Sequence, residues 1–237
     1  GMLGRPRFDW RDEGVRRVMR LMGPAIVGTG AIQIKVLVDT VVASGIDGGA
    51  SWLNYAFRLM QFPIGVFGVA IATATLPAIS RSAARGDQAE FKRTLASSMR
   101  MAFLLTIPSA VGLIVLGRPI IALIYERGLF GEQDTAHTAS VLGFFAVGLT
   151  GYAAIKILAP AFYALGDSRT PMIISLLSML TNFVMNWSLV GVMQERGLAL
   201  STSTVGLANF ALLYFIMRKR INGIEGRRTA TVVIKIL

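Results

Sequence analysis

The chain contains no cysteine, a single histidine and few charged residues. Without cysteine it can form no disulfide, use no thiolate nucleophile and bind no metal through a thiolate. Charged residues occupy 16% of its 237 positions, whereas soluble domains average about 25%. Acidic residues are scarcer than basic ones, with 13 aspartates and glutamates against 24 lysines and arginines. The chain therefore carries too little charge for the surface of an ordinary soluble domain.

Hydrophobic residues make up 54% of the sequence, and the mean hydropathy is +0.60. They form runs that are too long for core strands and long enough for membrane helices, which need about 20 residues. We predict an all-α fold, a polytopic membrane helix bundle with six transmembrane helices. The predicted spans are 24–44, 53–79, 98–116, 138–165, 171–193 and 198–217.

Basic segments flank this six-helix lobe, which is predicted to cover residues 24–218. Residues 1–23 interleave arginines with apolar side chains, a pattern typical of an amphipathic linker helix on an anionic membrane face. Residues 219–237 are predicted to be a cytoplasmic linker that ends in TVVIKIL, the opening of a further helix. We therefore expect the chain to be a piece of a longer protein.

The net charge of +11 would suit nucleic-acid binding, but basic residues of membrane proteins accumulate in cytoplasmic loops. Seventeen of them fall in the flanking segments, the polar loop predicted over 80–100 and the turn at Arg169, and three fall in the opposite loops. This asymmetry predicts that both ends of the segment are cytoplasmic and argues against a nucleic-acid partner. The single histidine, His137, falls in a predicted interfacial helix and loop over 120–138 and is read as a surface residue with no metal role.

A few charged residues lie inside the apolar spans. Arg58 belongs to the second span, and an intramembrane arginine costs about 2.5–3.5 kcal/mol on insertion scales. Lys35 and Asp39 stand four residues apart on one helical face. They form either a mutual salt bridge or a site in which Asp39 faces a cavity as an ion or proton ligand. Lys156 either bonds carbonyls freed near Pro160 or adds positive charge to a shared cavity.

Asn182 and Asn186 are also four residues apart and are expected to form interhelical hydrogen bonds. We find no phosphate-binding glycine loop, no paired carboxylate motif and no nucleophile beside a base in the sequence. Few, mostly cationic charges within proline-broken helices favour a transporter for an anionic substrate that works by alternating access.

The run SWLNYAFRLMQFPIGVFGVAIATATLPAISR, residues 51–81, strongly resembles the MurJ (MviN) family. This family comprises the lipid II flippases of the multidrug/oligosaccharidyl-lipid/polysaccharide (MOP) exporter superfamily. Further matches are VDTVVAS at 38–44, IPSAVGL at 107–113 and KILAPAFYALGDSRTP at 156–171. Members have fourteen transmembrane helices, and the chain resembles helices seven to twelve, the second lobe.

The resemblance implies a flippase rather than an enzyme, located in the bacterial inner membrane. Its substrate would be lipid II, undecaprenyl-pyrophosphoryl disaccharide-pentapeptide, moved to the periplasmic leaflet for peptidoglycan synthesis. Other implied partners are membrane lipids and the first lobe of the same chain. Arg58 matches the family's cavity arginine and would contact the pyrophosphate, and Ser51 matches a cavity-lining serine. Lys35 and Lys156 would add to the substrate site. Phe57 departs from the family, because many members have an acid there, in YADRLMQFP.

Some members carry a sodium ion in this lobe, and no other cofactor is implied. Its ligands would correspond here to the side chains of Asp39, Asn182, Asn186 and Thr202 and to a backbone carbonyl near Leu198. Asn186 stands where an aspartate can occur, so this version of the site has one negative charge fewer.

Three alternatives compete with the flippase hypothesis. One is another exporter of the superfamily, for a polyprenyl-linked glycan or a drug, and the RLMQFP setting of Arg58 argues against it. Another is a membrane-embedded enzyme acting on polyprenyl phosphate, but the loops are basic or small rather than acidic and metal-binding. The third is a membrane scaffold for cell-wall enzymes, which would have no reason to bear the cost of intramembrane charges.

Overall fold

The computed structural model describes residues 13–223, and the sequence predictions for residues 1–12 and 224–237 lie outside this range. Every regular element between residues 13 and 223 is helical, which confirms the all-α prediction. The elements are α1 (Glu13–Ser44), α2 (Gly49–Pro63), a π-helix (Ile64–Val69), α3 (Ala70–Arg85), α4 (Gln88–Tyr125), α5 (Glu132–Ala164) and α6 (Arg169–Arg220). When α2, the π-helix and α3 are taken as one, the described range holds five helices long and apolar enough to cross a membrane.

The last helix, α6, consists of two arms. Its 52 residues would span about 78 Å if straight, more than twice the hydrocarbon thickness of about 30 Å. The backbone leaves the helical region at Gln194, with φ 50° and ψ −129°. Beyond this turn a Cβ atom on Gly197 would lie 2.7 Å from the carbonyl oxygen of Leu189, so the arms lie side by side. Counted as two arms, α6 gives the described range the six membrane-crossing segments that the sequence predicts.

The segment over 80–100, predicted to be a polar loop with short helical character, is helical over nearly all of its length. The α3 helix continues to Arg85 and α4 begins at Gln88. Gly86 ends α3 with φ 70°, in the left-handed region that favours glycine. The side chain of Asp87 then caps α4 by accepting the backbone N–H of Glu90 at 3.0 Å. Hydropathy marks only the part of a helix inside hydrocarbon, so these polar extensions are not visible to it.

The third span, predicted to end at residue 116, and the interfacial helix and loop predicted over 120–138 also differ from the structure, where only residues 126–131 are a loop. The α4 helix continues through Pro119 to Tyr125, and α5 begins at Glu132. Membrane helices tolerate proline because neighbouring groups bond the carbonyl that it leaves free. His137 consequently lies on α5 and not in a loop. In the same way α1 is continuous from Glu13, with no boundary between the predicted linker helix and the first span.

Small residues allow close packing around α5, which contacts α2, α3, α4 and α6. A Cβ atom on Gly148 would lie 2.7 Å from the Cα atom of Ser203 on α6, and one on Gly206 would lie 2.7 Å from the ring of Tyr152. The Ser203 hydroxyl donates to the carbonyl oxygen of Phe144 at 2.7 Å. In lipid, where the hydrophobic effect does not drive helices together, such packing contacts and hydrogen bonds stabilise their association.

The α2 helix, the π-helix and α3 form one composite helix along α5. Pro63 ends α2 and has no N–H to donate, and the π-helix follows immediately, as such segments often do at irregular points. Gly68 of the π-helix would place a Cβ atom 3.2 Å from the Cα atom of Ala153. This contact holds the helix that carries Arg58 against α5.

Contacts between distant turns define one end of the bundle. The Lys92 ammonium donates to the carbonyl oxygen of Asn222 at 3.3 Å, and Arg220 pairs with Asp167 in the α5–α6 turn. Burial raises the pKa of Asp167, but hydrogen bonds from Thr170 and the Arg220 guanidinium outweigh it and hold the pKa below its usual value. The α3–α4 turn, the α5–α6 turn and the end of α6 therefore lie together. These are segments that the sequence analysis places on one side of the membrane.

An aromatic and polar cluster closes the other end. The ring of Trp52 stacks on His137 with centroids 4.1 Å apart and planes at 9°, and its indole N–H donates to Asp134 Oδ1 at 2.7 Å. His137 Nδ1 lies 2.8 Å from Oε1 of Glu195, which is buried and adjacent to the turn at Gln194. The cluster thus fastens the turn of α6 to α2 and α5.

The close approach of α5 and α6 can be tested with two glycines of the same helix. Gly148→Ala should lower the stability of a full-length protein that contains this segment by about 1–3 kcal/mol, because the methyl group overpacks against the Ser203 backbone. Gly143→Ala, whose Cβ would have no neighbour within 4 Å, is the matched control and should leave stability unchanged or slightly higher. The thermal unfolding midpoint in detergent measures both. Equal midpoints would contradict the described packing.

Candidate functional site

A polar stripe runs along the exposed face of α2. Ser51, Asn54, Arg58 and Gln61 are all exposed and follow one another at intervals of three or four residues, which places them on one side of a helix. Arg58 has no hydrogen bond or ion pair with any residue in the described range. Its guanidinium is therefore available to a group outside this lobe.

A first cavity of about 300 Å³ lies beside the stripe, between α1, α2, α5 and α6. Its polar lining comes from Lys35, Asp39 and Thr40 on α1, Asn54 on α2 and Thr202 on α6. Its charged side chains are one lysine and one aspartate. This cavity therefore carries no net charge.

A second cavity, of about 410 Å³, lies on the other side of Phe57. Two lysines, Lys35 and Lys156, line it, and no acidic residue among residues 13–223 does. Gln61 of the polar stripe also lines it, and most of its remaining wall is apolar. A cavity of this kind suits an anionic group attached to an apolar chain.

Lys35 and Phe57 line both cavities and form the wall between them. The ring of Phe57 packs edge-on against Phe145, with centroids 5.7 Å apart. Many family members have an acid at this position. Here the apolar side chain of Phe57 lies between the two cavities and packs against α5.

The predicted substrate residues occupy different places. Lys35 and Lys156 line cavities, whereas Arg58 and Ser51 line neither and lie on the open face of α2. Arg58 sits between Asn54, which borders the first cavity, and Gln61, which borders the second. Sequence reasoning missed Asn54 and Gln61 because it searched for charges. Their helical spacing from Arg58 was the signal that could have found them.

A chain of hydrogen bonds joins α1 to both arms of α6. The Lys35 ammonium donates to Asp39 Oδ2 at 2.5 Å and to the Thr202 hydroxyl at 3.2 Å. Asn186 Nδ2 donates to Asp39 Oδ1 at 2.5 Å and to Asn182 Oδ1 at 3.2 Å. We call these five side chains the α1–α6 network. Asn182 extends it by donating to the Ser201 hydroxyl at 3.0 Å.

Lys35 and Asp39 were expected either to form a salt bridge with each other or to leave Asp39 facing a cavity, and the structure shows both features. They form a salt bridge, with 17% and 24% of their side chains exposed, and both also line the first cavity. The expected hydrogen bonding of Asn182 and Asn186 is present, within α6 and across to α1. The pair is thus structural and faces a cavity at the same time.

The side chains implied as sodium ligands come together, but their arrangement does not fit a sodium ion. Both carboxylate oxygens of Asp39 accept N–H groups, and the Thr202 hydroxyl accepts from the Lys35 ammonium. The amide oxygen of Asn182 is used by Asn186, while Oδ1 of Asn186 is buried without a partner. Leu198 lines the first cavity. A positive group already stands among the oxygens that a sodium ion would need.

The described range holds no group of three or more histidine, cysteine, aspartate or glutamate side chains that could bind a metal ion. His137, the single histidine of the sequence, is instead used in the cluster with Trp52 and Glu195.

The α1–α6 network should contribute measurably to stability. Asn186→Ala should lower the unfolding free energy of the full-length protein by about 1–2 kcal/mol, because it removes two hydrogen bonds and leaves one Asp39 oxygen unbonded inside the bundle. Asn54→Ala, on an exposed face, is the control and should change stability by less than about 0.5 kcal/mol. Denaturation in detergent followed by circular dichroism compares them. A similar loss in both variants would mean that the network adds nothing specific.

Comparison with known proteins gives a consistent result. The family model described as "Lipid II flippase MurJ" matches residues 1–237. A curated relative from Vibrio cholerae, named probable lipid II flippase MurJ, is 39% identical over 215 residues, which cover 90% of this chain and 41% of the relative. The chain spans about half the length, or less, of the first curated relatives it matches.

Solved structures extend the comparison to the fold. A lipid II flippase MurJ in an inward closed conformation superposes with a TM-score of 0.79 at 27% identity, covering 97% of this chain and 48% of that one. A MOP superfamily transporter from Pyrococcus furiosus superposes with a TM-score of 0.76 at 14% identity, covering 88% and 46%. The second likeness concerns the fold alone.

Proposed function

The chain belongs to the lipid II flippase MurJ family, and from this we propose that it forms the second lobe of a lipid II flippase. The lobe would act with a first lobe of the same protein to move lipid II from the cytoplasmic to the periplasmic leaflet by alternating access. It is a multi-pass membrane protein. No covalent chemistry on the lipid is part of this proposal.

The second cavity carries the proposal. Lys156 lines it without an ion pair in the described residues, whereas Lys35, which also lines it, is paired with Asp39. Lys156 therefore gives this cavity a positive charge in a region of low dielectric, where charge is felt strongly. Its apolar wall includes Met60, Ile64 and Ile155. A pyrophosphate would thus lie near Lys156 while part of a polyprenyl chain contacts the apolar wall.

Arg58 supports the same substrate. An exposed, unpaired arginine inside a membrane span is costly unless an anion or a watery cavity compensates it. Its planar guanidinium can bind two phosphate oxygens at once, which a lysine cannot do. Because Arg58 lies on the open face of α2, the pyrophosphate would be held between this lobe and the first lobe.

The proposed orientation places the basic end of the bundle in the cytoplasm. That end joins the α3–α4 turn to the end of α6 through Lys92 and Asn222, and it gathers many of the basic residues that follow the positive-inside rule. The cluster of Trp52, His137 and Glu195 would then face the periplasm. In the same orientation, both ends of the segment are cytoplasmic.

The role of Arg58 can be tested by complementation. In a full-length protein that contains this segment, Arg58→Ala should not support growth when the host's own lipid II flippase is depleted, and Arg58→Lys should support it weakly. Arg81→Ala, an exposed arginine farther along the same composite helix, is the matched control and should grow normally. Immunoblots of membranes check expression. Normal growth of Arg58→Ala would make this arginine structural and reopen the substrate assignment.

Charge reversal tests the second cavity separately. Lys156→Glu should weaken lipid II binding by the purified full-length protein about tenfold or more, since it replaces attraction by repulsion near the pyrophosphate. Lys156→Arg should keep most of the affinity. Lys92→Glu, at the basic end and outside both cavities, controls for net charge. If Lys156→Glu and Lys92→Glu weaken binding equally, the second cavity does not hold the pyrophosphate.

A further inference from the structure

We propose that Lys35 is a tethered cation that takes the place of the sodium ion found in some members of the family. Its ammonium lies between Asp39 and Thr202 and bonds oxygens that a sodium ion would need. This inference concerns cation binding by the lobe and does not depend on the substrate proposed above.

The position of the ammonium is the first argument. It donates to Asp39 on its own helix and to Thr202 on the second arm of α6, two of the side chains that the resemblance implies as sodium ligands. A lysine ammonium has three N–H donors and no acceptor, so it satisfies these oxygens in the same way as a small cation. Two of its donors are used in this way, and the side chain also borders both cavities.

The charge balance is the second argument. Asp39 is the acidic residue that lines the first cavity, and Lys35 is the basic one. Their charges cancel, so no net negative charge is left to attract a sodium ion. A sodium ion a few ångströms from the ammonium would instead be repelled by it, and inside a protein this repulsion is much stronger than in water.

The direction of the amide groups is the third argument. Asn186 directs its N–H groups, not its oxygen, toward Asp39 and Asn182. A sodium ion requires oxygen ligands, and binding one here would mean breaking these bonds and turning the buried amide. With the ammonium in place, the donors and acceptors around Asp39 already match each other.

The proposal predicts how the protein responds to sodium. Purified full-length protein should have the same thermal unfolding midpoint in sodium chloride, potassium chloride and choline chloride at equal ionic strength. Lys35→Met removes the ammonium but keeps an unbranched side chain, and leaves Asp39 uncompensated. This variant should therefore be stabilised by sodium over choline by about 2–4 °C or more, because a sodium ion can now take the vacated position.

Two controls isolate the site. Lys156→Met removes the other lysine of the second cavity, which forms no hydrogen bond or ion pair with the α1–α6 network, and should show no sodium response. The double variant Lys35→Met with Asp39→Asn removes the charge that attracts the ion, and should lose the response gained by Lys35→Met. If Lys35→Met does not yield folded protein in either salt, Lys35→Gln replaces it, since glutamine keeps a neutral donor for Asp39.

Two results would overturn the proposal. One is a sodium-specific stabilisation of the unmodified protein that Asp39→Asn abolishes, because the ion would then bind while Lys35 is present. The other is a folded Lys35 variant that gains no response to sodium, because the ammonium would then not occupy a cation position. Isothermal titration with sodium chloride gives an independent reading of both.

Discussion

A charged pair inside a membrane bundle must satisfy its hydrogen bonds within the protein, and the salt bridge of Lys35 and Asp39 does so through α6. Asn186 on the first arm of α6 and Thr202 on the second complete the bonding of this pair. Because lipid offers no alternative partners, α1 must stay in register with both arms of α6. Lys35 lines both cavities, so the bonds that fix its position also fix part of the wall of each cavity.

Packing on the other side of the lobe complements the network. Glycines such as Gly148 and Gly206 bring α5 and α6 into close contact, while the α1–α6 network adds hydrogen bonds between α1 and α6. The contact of Gly68 with Ala153 holds the composite helix that begins with α2 against α5. Two cavities lie next to the polar stripe, lined by α1, α2, α5 and α6. The close packing of α5 thus supports the helix that carries the polar stripe and Phe57, which lies between the two cavities.

The sequence predicts the fold class and the six crossing segments because apolar runs of membrane length are a strong signal. It also identifies the pairing of Lys35 with Asp39, since four residues separate them on one helix. It fails on the 80–100 loop, where polar residues continue as helix outside hydrocarbon. It cannot show that Lys35 contacts Thr202, because 167 residues separate them and nothing local records the contact. Whether a sodium ion fits here depends on that contact. The presence of the implied ligand residues in the sequence was therefore not enough to predict a sodium site.

The salt bridge within α1 also bears on how the protein is made. The partner of Asp39 on α6, Asn186, follows it by 147 residues, and synthesis at about 5–20 residues per second separates the two by about 7–30 s. During that interval α1 has to reside in the membrane without α6. Since Lys35 and Asp39 neutralise each other within one helix, the nascent segment presents a dipole to the lipid and not two isolated charges. The bond that later aligns the mature bundle thus eases the insertion of α1.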